Sequence, residues 1–459
     1  MSSIQSINPA TEEVLETFEL YTKEQIDQAL EQTSTAWKDW RDTPFEQRAE
    51  LLHQVAQHLR AHKDEYARTA TLEMGKTLVE AEAEIEKCAW GCDYFAENGE
   101  RFLENETIRS SATESYVEFV PLGTVLALMP WNFPFWQIFR FAAPALMAGN
   151  TIVLKHASNV SRVSLQVERI FEECGFPEGV FRSVLVPGSE MGALIDDPRI
   201  AAVTLTGSEA VGIEVASLSG RALKKHVLEL GGSDAFIVLA DADLDAAAQI
   251  ATRARFQNNG QSCICAKRFI VVDDVAEAFE QKFVDAATKL RMGDPLERET
   301  TLGPVARADL RDTLDRQVQE SVKMGAHVLL GGKPHDGKGY FYPATIVTNV
   351  TPEMPMFKEE TFGPAAAIIH ARDTDHAVEL ANSSQYGLGG NLWTRDLDKA
   401  RQIARHLESG AVFINAMTAS DPRLPFGGVK HSGYGRELSS FGIREFVNIQ
   451  TVWIGPAVS

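Results

Sequence analysis

The chain has 459 residues, of which 44% are hydrophobic and 24% charged, a soluble globular composition long enough for about three units of roughly 150 residues. Its 44 basic against 64 acidic side chains leave a net charge of −20, which argues against nucleic acid or an anionic membrane as the main partner. No apolar run is long and uninterrupted enough to span a bilayer, residues 1–16 lack the order of a secretory signal, and the five cysteines lack framework spacing, so reduced thiols in a cytoplasmic protein are expected.

From residue 23 to about 101 the sequence is charged and helical in period, with Leu51, Leu52, Val55, Ala56 and Leu59 on one face. After residue 113, apolar β-rich runs at 117–128, 151–154, 180–186, 201–205, 226–230, 235–239 and 269–272 alternate with helical segments. Strands buried on both faces and spaced by helices predict an α/β fold of doubly wound parallel sheets. A second α/β region begins near Gly231 and runs to about Ala419, so two sheets fit the length better than one. The last stretch, 445–454, reads as a strand that must pair, either within its own sheet or as an arm across a subunit interface.

The run Phe256-Gln-Asn-Asn-Gly-Gln-Ser-Cys-Ile-Cys-Ala-Lys-Arg puts Cys263 and Cys265 in a polar loop before a strand, where a thiol can be exposed and ionised. Cys88, Cys92 and Cys174 lie in helical contexts and read as small core groups. A zinc reading of Cys263 and Cys265 is weaker, because no second Cys or His pair with finger-like spacing lies near them, and no metal is expected. A thiol nucleophile needs a base and an oxyanion site. Glu229 stands inside the apolar run Val227-Leu-Glu-Leu-Gly-Gly, as a buried base or as an ion-paired structural carboxylate. In Met129-Pro-Trp-Asn-Phe-Pro, Asn132 is an amide between aromatics, either an oxyanion donor or ordinary loop chemistry. Thr206-Gly207-Ser208 joins a strand to a helix N-terminus, a geometry that binds phosphate through free amides, though it lacks G-x-G-x-x-G and also serves as a plain αβ turn. Glu360-Thr-Phe-Gly-Pro and the glycine-rich run 425–437 add further loops with charged residues.

Together and in this order, these segments resemble the aldehyde dehydrogenase superfamily from Asn8-Pro-Ala-Thr to the C-terminus. The resemblance implies Cys263 as nucleophile, Glu229 as general base, and Asn132 with the Cys263 backbone amide as oxyanion donors. It implies a thiohemiacetal on Cys263, hydride transfer to a nicotinamide, and hydrolysis of a thioester to a carboxylate. It also implies a Rossmann-like NAD(P)-binding domain (1–107, 128–229 and 423–436), a catalytic α/β domain (230–422) and a β arm (108–127 and 437–459) that builds a homodimer or homotetramer. Lys155 matches the lysine that bonds the adenosine ribose, Ser208 the pyrophosphate contact beside Gly207, Glu360 the nicotinamide ribose contact, and Phe362 and Trp131 the cofactor walls. Many NAD-preferring relatives carry Glu where this chain has Ser158. A neutral hydroxyl removes the repulsion of a 2′-phosphate, so NADP is expected to be accepted, with NAD also usable.

Arg140 lies in the apolar run Phe135-Trp-Gln-Ile-Phe-Arg-Phe-Ala-Ala-Pro, where a guanidinium must find either an internal carboxylate or a substrate's. Its position is similar to that of the arginine receiving the acid end of the substrate in succinate-semialdehyde dehydrogenases, and the C-terminal runs also look like the shorter bacterial NAD(P)-type members of that group. Many of those enzymes carry a second arginine where this chain has Gln257, and Ser420 or Arg423 is expected to complete the acid pocket. Glutaric semialdehyde or a neutral aldehyde is the alternative substrate. A protein that binds cofactor without turnover would show damage at Cys263, Glu229 or Asn132, and none is visible. Cys265 is either a packed thiol or the partner of Cys263 in a regulatory disulfide.

Overall fold

A computed structural model describes residues 3–456; the outermost positions of the expected segments 1–107 and 437–459 lie outside the described residues. Six strands form one sheet in the order Gly433–Tyr434, Lys225–Glu229, Ile200–Thr206, Thr124–Met129, Thr151–His156 and Phe181–Ser183, parallel except at the first. Every residue of Thr124–Met129 is buried, because crossover helices cover both faces of a parallel sheet. Chain order reverses between Thr124–Met129 and Ile200–Thr206. The crevice beyond their carboxyl ends is therefore a topological switch point, where open α/β sheets bind ligands.

The second sheet has seven strands in the order His327–Leu330, Thr345–Thr348, Ala365–Ala371, Ala266–Val272, Asp234–Val238, Gly389–Trp393 and Ala411–Ile414, again parallel except at the first edge. Two sheets with separate cores agree with the expected doubly wound α/β organisation.

The C-terminal strand Val447–Ile454 pairs along its whole length with Glu114–Pro121 of the same chain, and Glu106–Thr107 completes this small sheet. Here the structure corrects the expected arm: the run 117–128 is two strands, and Thr124–Met129 belongs to the first large sheet. The hairpin is therefore Glu106–Thr107 with Glu114–Pro121, not 108–127. The break falls at Gly123, whose φ of +142° suits glycine and where a Cβ would stand 2.9 Å from that of Ala201.

Helices Lys23–Trp40, Phe45–Ala61, Lys63–Met74 and Leu78–Phe102 fill the predicted helical region. Thr22 and Thr77 cap the first and last of them. Helix Leu78–Phe102 turns Ala81, Glu84, Ile85, Cys88 and Cys92 inward, and Cys88, Cys92 and Cys174 are all buried as core groups. It packs against Trp136–Met147, a helix buried on every side that carries Arg140. Among the described residues no helix is long and apolar enough to cross a membrane.

Candidate active site

Cys263 sits in the loop between helix Leu244–Phe256 and strand Ala266–Val272. Asn258 and Asn259 adopt φ of 54° and 56°, left-handed values that asparagine tolerates better than most residues. The Asn258 amide donates to the carbonyls of Asn132 at 2.8 Å and Gln261 at 2.9 Å, and the Asn259 amide donates to those of Gly75 and Pro304, both at 2.8 Å. Arg255, fully buried, donates to the carbonyls of Gly260, Thr361 and Gly363. Lys267, also fully buried, donates to the carbonyls of Ser262 at 2.9 Å and Cys263 at 2.8 Å, and its Nζ is 3.2 Å from Glu360 Oε1. These two cations fasten the thiol loop to the loop that carries Glu360 and Phe362. The paired glycines after Glu229 make room for this: a Cβ at Gly231 would stand 2.5 Å from Glu360 Oε2, and one at Gly232 2.5 Å from the Cys263 carbonyl oxygen.

The folded loop turns Cys263 inward. Burial pushes its thiol up to about 12, Arg140 and Lys267 pull the other way, and Glu360 and Glu229 add to the rise. Cys263 is half-buried, and the expectation of an ionised thiol is corrected, because desolvation outweighs the nearby cations. Cys265 is a second free thiol, fully buried, with its sulfur 3.8 Å from the Gln257 carbonyl.

Asn132 is buried, and its Nδ2 donates to the Gln261 carbonyl at 3.0 Å, which leaves its second N–H free for an oxyanion. Glu229 closes strand Lys225–Glu229 and is 2% exposed. Neither of its carboxyl oxygens has a hydrogen-bond partner, and among the described residues it makes no salt bridge, so the ion-paired structural reading falls. Burial first, and then the Glu437 carboxylate, hold it well above the usual carboxylate range. Gly427, at φ +151°, passes so close that a Cβ would stand 2.7 Å from Glu229 Oε1.

Two cavities meet at Cys263. The first, about 480 Å³, lies at the switch point and is lined by Trp131, Lys155, Gly207, Ser208, Glu360 and Phe362, together with Asn132 and Cys263. Ser208 is the N-cap of helix Glu209–Arg221 and makes no side-chain cap bond, so the first-turn amides remain available to an anion. Trp131 and Phe362 meet edge to face at 5.7 Å. Ser158 is exposed in the short turn Ser158–Val160, one residue beyond the lining residue Ala157.

The second cavity, about 800 Å³, is lined by Arg140, Gln257, Ser420 and Cys263, as well as Lys87 and Trp136. Among the described residues, only Cys263 and Gln137 line both cavities. Arg140 pairs through Nε with Glu437, donates from Nη2 to Thr206 at 3.3 Å, and lies 4.5 Å from the Phe426 ring centre. Of the two fates open to it, the internal carboxylate is the one it meets. Arg423 does not complete the acid pocket: Asp421, two residues earlier, captures its guanidinium at 2.6 Å outside the cavity.

Four residues at this site escaped sequence reasoning: Lys87, Arg255, Lys267 and Glu437. Only Lys87 left a readable signal, since Glu80, Glu84 and Lys87 recur at helical spacing toward the buried face of one helix.

Residues 1–452 match the aldehyde dehydrogenase family. The chain is 50% identical over 460 residues to a succinate-semialdehyde dehydrogenase [NADP(+)] of Mycolicibacterium paratuberculosis, covering 99% of this chain and 98% of the relative. It is 49% identical over 448 residues to the succinate semialdehyde dehydrogenase [NAD(P)+] of Escherichia coli K12, covering 98% and 97% respectively. Among solved structures, succinic semialdehyde dehydrogenase from Streptococcus pyogenes, in complex with NADP+, superposes with a TM-score of 0.96 at 38% identity over 99% of this chain and 100% of that one. A half-buried thiol shared by two cavities, with an amide donor and a buried carboxylate beside it, and this similarity over the whole length agree: the chain belongs to the aldehyde dehydrogenase family.

Proposed function

We propose that the protein oxidises succinic semialdehyde to succinate with NADP, and also with NAD. The observation that carries this reading is the position of Cys263 in the common wall of two cavities, one of them built for a dinucleotide and the other cationic. A dinucleotide fits the first cavity: the uncapped helix N-terminus at Ser208 suits a pyrophosphate, Lys155 and Glu360 suit the two riboses, and Trp131 and Phe362 suit a flat ring. When bound, the nicotinamide supplies a hydride acceptor on that side of Cys263.

The Cys263 sulfur bonds to the aldehyde carbon as its proton passes to solvent. The free N–H of Asn132 and the backbone amide of Cys263 hold the new oxyanion. Once the carbon is oxidised, the acyl group remains on sulfur as a thioester, and Glu229, unpaired and held well above the usual carboxylate range by burial, draws a proton in its ionised form from the water that hydrolyses it. The charge of Lys87 in the second cavity, where Arg140 is already paired with Glu437, favours an aldehyde with an acid end.

The test is kcat/KM for succinic semialdehyde, glutaric semialdehyde and butanal, with each cofactor, for wild type and Ser158→Glu. Succinic semialdehyde should exceed butanal by at least ~10-fold, as expected when a buried charged contact is gained. Ser158→Glu should lower kcat/KM for NADP by roughly 10- to 100-fold and leave NAD within a few-fold. Equal use of succinic semialdehyde and butanal, or no use of NADP by the wild type, refutes the respective half of the proposal.

The same reading makes Val447–Ile454 and its partner strand an oligomerisation arm. Ile449 and Trp453 on that strand are 63% and 53% exposed, apolar area that a second copy would cover. Sedimentation velocity should find two or four chains per particle, and a monomer at micromolar concentration would contradict it.

A further inference from the structure

The cavity on the substrate side holds a cation that the chain leaves without a counter-ion. Lys87 projects from helix Leu78–Phe102, with its Nζ donating to Ser420 Oγ at 2.6 Å and lying 4.6 Å from the Trp136 ring centre. Among the described residues it makes no salt bridge. The carboxylates closest to it are already engaged. Glu84 pairs with Lys76 and accepts the backbone N–H groups of Phe135 at 2.8 Å and Trp136 at 2.9 Å, while Asp421 is held by Arg423. Burial and the repulsion of Arg140 lower the amine to about 8, against the weaker pull of Cys88, Glu84 and Asp421.

Ser420 adds an independent observation. Its Oγ accepts from Lys87 and also from Trp136 Nε1 at 3.2 Å, and the residue is 8% exposed. A hydroxyl has two lone pairs and one proton. With both lone pairs occupied only the proton remains, and no protein acceptor takes it among the described residues. An ammonium and a hydroxyl proton therefore converge on the cavity that also reaches Cys263. The partner that satisfies both is an anion with two oxygens. The other basic or amide groups are less suited: Arg140 is engaged by Glu437, Arg423 lies outside, and Gln257 is neutral.

We propose that Lys87, together with Ser420, receives the carboxylate of the aldehyde substrate and so sets the preference for an acid-ended aldehyde. This rests on the succinic semialdehyde reading and names the residue that would enforce it. Lys87→Met keeps an unbranched apolar stem against Trp136 and removes the charge; Lys87→Arg restores charge, and Ser420→Ala removes the hydroxyl alone.

Three measurements test it: kcat/KM for succinic semialdehyde, kcat/KM for butanal, and the Kd of succinate measured by calorimetry on the intact enzyme. In Lys87→Met, kcat/KM for succinic semialdehyde should fall ~30- to 100-fold, almost wholly through KM, with butanal within about two-fold and the succinate Kd at least ~10-fold weaker. Lys87→Arg should recover most of the loss, and Ser420→Ala should show about a tenth of it with butanal again unmoved. A parallel fall for both aldehydes would assign Lys87 to helix packing and overturn the proposal, as would an unchanged succinate Kd. If the wild type shows no preference for succinic semialdehyde over butanal, the functional reading fails. The succinate Kd of Lys87→Met against wild type then still decides whether Lys87 holds a carboxylate.

Discussion

Cys263→Ala is expected to lower aldehyde-dependent cofactor reduction by at least ~10⁴-fold, with cofactor binding retained. Its thiol, held at about 12, leaves only ~10⁻⁴ of the free enzyme as thiolate at a pH of about 8, so the resting chain stores an inert sulfur. Activation must come with the reactants, as the proton passes from sulfur while the carbon–sulfur bond forms. Alkylation by iodoacetamide should therefore be slow in the free enzyme and rise with pH to the top of the accessible range, whereas a thiol ionised at rest would react at once. Cys263→Ser keeps the shape and offers an oxygen that is harder to ionise, so it should stand near the alanine variant. Substantial acid formation by either variant would remove covalent catalysis from this site.

Glu229→Gln should separate the two halves of the reaction. The amide fills the same buried space but cannot take a proton from water, and general base assistance accounts for roughly 10²- to 10⁴-fold. Steady-state turnover should fall by that factor, while a first turnover of reduced cofactor, close to one per active site, survives in rapid-mixing experiments. The sign of the pH dependence follows from the raised carboxyl: burial and Glu437 favour its neutral form and move its ionisation to higher pH, so thioester hydrolysis in wild type should speed up as pH rises and the group ionises, and Glu229→Gln should lack that rise. Loss of the first turnover as well would place Glu229 in thiol activation rather than in hydrolysis.

Cys263, Glu229 and Asn132 were legible as one candidate site because each stands inside a short contiguous run whose neighbours build its surroundings, as Leu-Glu-Leu-Gly-Gly does for Glu229. The large parallel sheets were legible for a related reason, since burial on both faces leaves uninterrupted apolar runs. What was hidden is what the fold assembles from distant segments. The Arg140 partner, Glu437, comes from the far end of the chain, and pairing at such separation leaves no periodicity to read. Lys87 carried a helical spacing, but it stands on a helix whose charged face looks solvated in one dimension, so the spacing alone did not assign it to the site. The hairpin Ser3–Ile7 with Val14–Glu19 was also missed, because its strands are mostly exposed or half-buried and show no clean alternation. The split at Gly123 was missed because apolar residues continue on both sides of it and only the sheet assignment changes.

The two cavities that share one sulfur have an evolutionary corollary. Ser158 and Lys155 belong to one mouth, and Lys87, Gln257 and Ser420 to the other. A lineage can exchange its electron carrier without retraining its choice of fuel, and can take up a new fuel without disturbing the carrier. Divergence within this scaffold is then a matter of two dials turned separately, with the chemistry between them left alone.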